Sequence, residues 1–383
     1  MPSRLLRFLV APALLVGALG PPSPAKAQAN GRLQIHFMNV GQGDGALLIT
    51  PRGTTVLFDN GVRNNCDAPV SYLQQLGIQG IDYHVASHYH DDHIGCTAEV
   101  LGAYPLRQAA YDRGNTYISE TFASYASTVG SLRRTATPGM TLRLDENTPN
   151  PVTITFMVVN GAAPNGIQAQ TNNENDLSVV AVVRYGHFDA VFGGDLSGYR
   201  TSSYRDIETP VATAIGPVEL YKVNHHGSAH SSNDTWLAAL TPRVGIISAG
   251  LNSKHGHPTQ EAIDRLHAAN VRTYWTTQGK GEVQPVNGRD VVGNNIIVEV
   301  APGASTFSVT YAGNRVDTHP MLGASGPGNG ETLAYAWSTR SQIYHHADCV
   351  YVDNISPANL ARGNEPPTDK RLHDDCPRHG GGQ

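Results

Sequence analysis

Charge is scarce in this chain of 383 residues. Asp, Glu, Lys and Arg make up 15% of it, and acidic residues outnumber basic ones, 32 to 27, for a formal net charge of -5. A protein that grips nucleic acid by bulk charge is usually basic, so a polyanionic partner here has to be held by local features. Past Leu19 no apolar run approaches the roughly 20 residues that a spanning helix needs. No Ser-His-Asp arrangement stands out as a nucleophilic triad. Cysteine is confined to Cys66, Cys96, Cys349 and Cys376, an even number that permits disulfides in an exported chain. Glycine (40) and proline (24) are plentiful by contrast, as expected for many loops on an ordered core.

Export is what the first residues suggest. Arg4 and Arg7 open the chain, an apolar stretch runs to Leu19, and Ala25-Lys26-Ala27 places small residues where a signal peptidase reads. The expectation is a signal peptide over 1–27, cleaved near Ala27. The mature protein would then be secreted or periplasmic, free of the membrane and without an obligate protein partner. A membrane anchor is the competing reading.

From Leu33 the chain alternates strand-like and helix-like runs. Leu33–Val40, Gly45–Thr50, Thr54–Asp59, Tyr83–Ser87, Val152–Val159, Leu177–Tyr185, Phe188–Phe192, Leu220–Asn224 and Val244–Ser248 read as strands. Ser71–Leu76, Thr97–Tyr104, Asn233–Leu240 and Thr259–Ala269 read as helices; the last carries Ala262, Ile263, Leu266 and Ala269 on one face. This alternation predicts a layered α/β domain over 30–315. A Gly- and Pro-rich linker is expected over 316–332, and a small Cys- and His-bearing module over 333–383.

The strongest local signal is His88-Tyr89-His90-Asp91-Asp92-His93, at the end of a buried strand and the start of a helix. Imidazoles and carboxylates suit zinc and its neighbours. Alternate residues on a tight turn aim His88 and His90 at one ion, and Asp92 and His93 can face a second. Gly193-Gly194-Asp195 follows an apolar strand and offers a carboxylate able to bridge two cations. Lys222-Val223-Asn224-His225-His226-Gly227-Ser228 again ends a strand. One of its histidines should complete the second site; His225 is favoured over His226.

With Met38 through Asp44, Leu57 through Gly61, Asn175 through Ser178, and Gly256-His257-Pro258 in the same order, the chain resembles the competence-protein branch of the metallo-β-lactamase superfamily over roughly Leu33 to Gly281. The resemblance implies an αβ/βα sandwich with a site where strands end, and two divalent ions, usually zinc and sometimes manganese. His88 and His90 would hold the first, Asp92, His93 and His225 the second, with Asp195 between them and Asp59 orienting a ligand from behind. Many members supply a third histidine to the first ion, between the main motif and the bridging aspartate. Here none lies between His93 and His187, and His187 falls in a predicted turn. Water, Asn175 or Asp176 would fill the gap, which argues against a true β-lactamase.

Two such ions can lower the pKa of a shared water and neutralise charge on a phosphoryl group. The expected function is therefore a phosphodiesterase acting on DNA or RNA, with Asp92, Lys222, Ser228 and His257 as catalytic candidates and Lys254 as a further basic group near the scissile bond. A phosphocholine esterase, a lactone or thioester hydrolase, and a non-catalytic protein stabilised by metal are the alternatives. In the tail, His345 and Cys349, then His373 and Cys376, have zinc-like spacing. Tyr344 through Leu360 resembles a small metal-binding module appended to some nucleases, in which the last pair is normally Cys-x-x-Cys. A structural zinc there competes with a Cys349–Cys376 disulfide. Cys66 and Cys96 are expected to form a disulfide bracing the rim of the site.

Overall fold

The computed structural model describes residues 29–322 except 165 and 252–254, and beyond them 335–338, 340–346, 355, 360–363, 367–368 and 370–372. Residues 1–28, which contain the expected signal peptide, lie outside this set, as do Lys254, Cys349, His373 and Cys376.

The first half builds one sheet: β1 (Leu33–Phe37), β2 (Ala46–Ile49), β3 (Thr55–Phe58), β4 (Ile81–Val85), β5 (Leu106–Asp112) and β6 (Arg133–Thr135). Helices α1 (Asp67–Gln75), α2 (Asp91–Ile94), α3 (Thr97–Ala103) and α4 (Glu120–Val129) intervene. The second half builds another sheet from β7 (Thr141–Leu144), β8 (Val152–Val158), β9 (Val180–Tyr185), β10 (Phe188–Phe192), β11 (Leu220–Lys222), β12 (Val244–Ile247), β13 (Arg272–Trp275) and β14 (Asp290–Val292). Its helices are α5 (Glu208–Ile215), α6 (Asp234–Leu240) and α7 (Gln260–Ala268). The chain then returns to the first sheet as β15 (Ile296–Val300), β16 (Thr306–Tyr311) and β17 (Arg315–Pro320), with β15 antiparallel to β1.

The sheets are stacked because each presents an apolar inner face. Phe37, Phe58, Phe156, Phe192, Val298 and Phe307 lie in one buried cluster between them. Outer faces are covered by helices: Leu73, Val100, Phe122 and Tyr125 on one side, Val211, Trp236, Leu240 and Ile263 on the other. The result is an αβ/βα sandwich. Strands β3 to β6 run parallel, as do β10 to β14. Their carboxyl ends therefore gather on one edge, where α/β folds place ligands.

One sequence expectation needs correction. The domain does not end at 315: β17 pairs with β16 through Pro320, Met321 is buried in the core, and Leu322 N donates to Glu219 Oε1 at 2.6 Å. Residues 316–320 are thus edge strand, and the composition shift begins after them. Beyond the sandwich, four short strands, Tyr335–Ser338, Ile343–His346, Leu360–Gly363 and Arg371–Leu372, form a separate small sheet. His345 sits on the second of these; the other three candidate zinc ligands of the tail fall outside the described residues.

Candidate metal centre

Every side chain of the site hangs from the carboxyl end of a strand or the turn that follows. Asp59 follows β3, Ser87 and His88 follow β4, Asp195 follows β10, His225 and His226 follow β11, and Ser248 follows β12. His90 caps α2 from an extended backbone, and Asp92 and His93 lie in its single turn. Beneath them Phe58 and Phe192 stack at 4.4 Å, and Phe37 adds to the same floor at 5.8 Å from Phe192.

Two triads converge. Ligand atoms of His88, His90 and Asp195 lie within 4.8 Å of one another, and so do those of Asp92, His93 and His226. Asp195 touches both: its Oδ1 is 3.2 Å from His93 Nε2 and 3.3 Å from His226 Nε2, and its Oδ2 is 3.9 Å from His88 Nε2. His226, not His225, thus stands beside Asp92 and His93. Both histidines adopt left-handed backbone, φ 51° and 55°, so consecutive imidazoles leave the chain in different directions. His225 Nε2 comes to 3.5 Å from Asp195 Oδ2 and 3.3 Å from Asn175 Nδ2 instead.

The rear of the site is a polar lattice. Asp59 Oδ2 meets His93 Nδ1 at 2.8 Å and accepts the Ser87 hydroxyl at 2.7 Å, while Asp59 Oδ1 accepts Ser87 N–H at 2.8 Å. His226 Nδ1 lies 2.9 Å from the Ser248 carbonyl and 3.1 Å from Asp44 Oδ1. Asp44 had no role in the sequence reading beyond its Gly-Gln-Gly-Asp turn. It also binds Lys222 Nζ at 2.8 Å. That removes Lys222 from the catalytic candidates: it is buried, its other partner is the Val223 carbonyl at 2.9 Å, and it does not line the cleft. Asp176 is likewise drawn away. It accepts the Thr171 hydroxyl at 2.7 Å and the Arg205 N–H at 2.8 Å, holding loops together rather than facing the first triad.

The donor set fits divalent cations. Asp44, Asp59, Asp92 and Asp195 crowd together against one buried lysine, and such clustered charge needs compensation. Asp195 Oδ1 is buried and accepts no properly directed hydrogen bond. Burial opposes charge on His93 and His226, yet Asp195 with Asp59 (for His93) and with Asp44 (for His226) lifts both well above the usual histidine range. Both imidazoles thus sit where positive charge is favoured, which a cation held there would supply. Burial, with His93 and His90 close by, keeps His88 neutral, as a ligand must be.

In front of the triads lies a cleft of about 620 Å³. Gln42, Asn175, Tyr204, Ser228, His230, His255 and His257 line it beside the metal-site residues, and no lysine or arginine does so among the described residues. Burial, then the neighbouring His226 and His225, pushes His257 down to about 3; burial pushes His225 down to about 4. Both are neutral near pH 7. His187 is exposed in the turn between β9 and β10 and takes no part. Cys66 and Cys96 form a disulfide that ties the start of α1 to the start of α3.

The profile of the metallo-beta-lactamase superfamily matches residues 45–250, more than half of the chain. The chain belongs to that superfamily. Among curated proteins it is similar to ComE operon protein 3 of Bacillus subtilis, 22% identical over 66% of this chain and 32% of that protein. It is also similar to Recombination protein 2 of Haemophilus influenzae, 25% identical over 61% of this chain and 26% of that one. The chain thus spans about a third or less of these relatives' length. A putative metal-dependent hydrolase from Parabacteroides distasonis overlaps 66% of this chain and 96% of its own, at 14% identity and a TM-score of 0.40. The superfamily is one of metal-dependent hydrolases, and the two competence-type proteins are its distant relatives.

Proposed function

We propose that the protein is an exported, binuclear metal-dependent phosphodiesterase whose leading substrates are DNA and RNA. The observation that carries this is the pair of adjoining triads at the floor of the cleft, with Asp195 in one and its Oδ1 within 3.3 Å of His93 and His226 in the other. His88, His90 and Asp195 would hold one ion, and Asp92, His93, His226 and Asp195 the other; zinc suits the donors, and manganese is the second choice. Ions bound there would lower the pKa of water and offset charge developing on a phosphoryl oxygen.

The chain's own residues do the rest. Asp59 and Asp44 fix the rings of His93 and His226 through Nδ1, which leaves Nε2 for the metal. His257, neutral in the cleft, donates an N–H to a phosphoryl oxygen. Ser228 and His225, steadied by Asn175, approach from the adjoining wall. With two imidazoles and Asp195 as its donors, the first site would leave an ion held there accessible to substrate. Export is supported by the leader-like residues 1–27 and by the disulfide, which belongs in an oxidising compartment. Among the described residues no helix is long and apolar enough to cross a membrane. The protein is proposed to act without an obligate protein partner.

One observation favours a second reading: Tyr204 lines the cleft beside the metal site and offers an aromatic face to a cationic group, as in a phosphocholine ester. The purified protein, loaded with zinc or manganese, is to be incubated with single-stranded DNA, duplex DNA, RNA and bis-nitrophenyl phosphate, with His90→Ala as control. Cleavage that vanishes in the variant is expected. Absence of cleavage by metal-loaded wild type overturns the nuclease reading and moves the assignment to phosphocholine or carboxylic esters.

A further inference from the structure

Glu208 opens α5, is fully buried, and pairs with no cation among the described residues. It accepts three hydrogen bonds: Asn224 Nδ2 at 2.8 Å and Ser232 N at 2.7 Å on Oε1, and Asn233 N at 2.7 Å on Oε2. These donors stand at the two ends of the loop that carries His225, His226 and Ser228. Tyr221 adds a second clamp: its hydroxyl accepts Asn224 N–H at 2.9 Å and bonds Ser232 Oγ at 2.8 Å. Carboxylate and phenol together close the loop like a staple.

What they close is strained. His225, His226 and Gly227 are three consecutive left-handed residues, with φ of 51°, 55° and 81°. Two of them carry side chains, which left-handed backbone disfavours by crowding Cβ against the carbonyl. Such a conformation persists only where the surroundings over-determine it. Here it decides which imidazole reaches Asp195 Oδ1 and which turns toward Asn175. The same bracket reaches the bridging carboxylate. The Asn224 amide packs so tightly on Gly193 that a Cβ there would collide with it, and His225 N donates to Gly194 O at 2.9 Å.

We propose that Glu208 and Asn224 are positioning residues of the metal centre: they hold the strained His225-His226 turn and the Gly193-Gly194-Asp195 turn in register, so that His226 and Asp195 are preset for the second ion. The proposal rests on the binuclear reading and deepens it.

The test is chelator competition, together with the visible spectrum of the cobalt-substituted protein, on wild type, Glu208→Gln, Asn224→Ala and Leu240→Ala. Glu208→Gln keeps the volume but turns one acceptor into a donor facing an N–H. Leu240→Ala opens a cavity in α6 away from the bracket, as a control for lost stability alone. Loss of about tenfold or more in affinity for the second ion, typical of a disturbed outer shell, and an altered cobalt spectrum are expected for Glu208→Gln and Asn224→Ala, with Leu240→Ala like wild type in both. If the two bracket variants bind both ions as wild type does and only melt earlier, the proposal is overturned. If Glu208→Gln fails to fold, Asn224→Ala decides alone. A wild type that binds no metal overturns the binuclear reading itself, a result distinct from failure of the bracket.

Discussion

Replacing Asp44 by alanine should damage both stability and metal binding, and by separable amounts. Asp44 is 6% exposed and Lys222 3%, so the Asp44–Lys222 contact at 2.8 Å is sealed from water. Removing the carboxylate strands the ammonium with the Val223 carbonyl as its remaining partner. Breaking one side of a buried pair costs about 3–5 kcal/mol. Replacing both partners removes the stranded charge, so Asp44→Ala/Lys222→Met should recover most of that loss. It should not recover metal affinity, because Asp44 Oδ1 also lies 3.1 Å from His226 Nδ1; both variants should bind the second ion about 10–100-fold more weakly. Urea unfolding of the metal-free protein measures the first effect and chelator competition the second. If Asp44→Ala unfolds within about 1 kcal/mol of wild type, or the double variant regains wild-type affinity, the reasoning is wrong.

Three other outcomes are expected. His226→Ala should lose the second ion, while His225→Ala keeps both ions by elemental analysis and loses turnover; the reverse pattern would restore the assignment the sequence favoured. Opening the Cys66–Cys96 bridge with Cys66→Ala/Cys96→Ala should cost about 3–4 kcal/mol in calorimetry or denaturant unfolding, from a separation of 30 residues. His84 is buried, its Nε2 lies 3.0 Å from Asn60 Nδ2, and burial holds it near 4 against an unperturbed 6.5. The unfolded chain takes up this proton first, so its stability contribution is present above pH 6.5 and lost as pH falls through 4. At 1.36 kcal/mol per unit that is roughly 3 kcal/mol, and His84→Phe should flatten that part of the acid limb. An unchanged wild-type-minus-variant difference from pH 7 to 4 would contradict it.

Much of the site was legible because its ligands sit in short contiguous motifs. His88, His90, Asp92 and His93 span six residues, and Asp195 and the histidine pair each follow a readable apolar strand. What one dimension hides is direction. His225 and His226 are neighbours in sequence, and only the left-handed backbone tells them apart. Lys222 looked available because a lysine at a strand end is ordinarily solvated; its partner Asp44 is far off in sequence. Glu208 left no signal, since its three donors lie 16 to 25 residues away. The same reason hid β15 to β17: they complete the first sheet beside β1 from the far end of the domain, a pairing that no local pattern announces.

Hydrolysis of bis-nitrophenyl phosphate, followed as zinc or manganese is titrated into metal-free protein, tests the central claim most directly. The account predicts activity that rises to a plateau at two equivalents per chain and is absent in Asp195→Asn at any load. No hydrolysis at two bound equivalents, or full activity with Asp195→Asn, would contradict it.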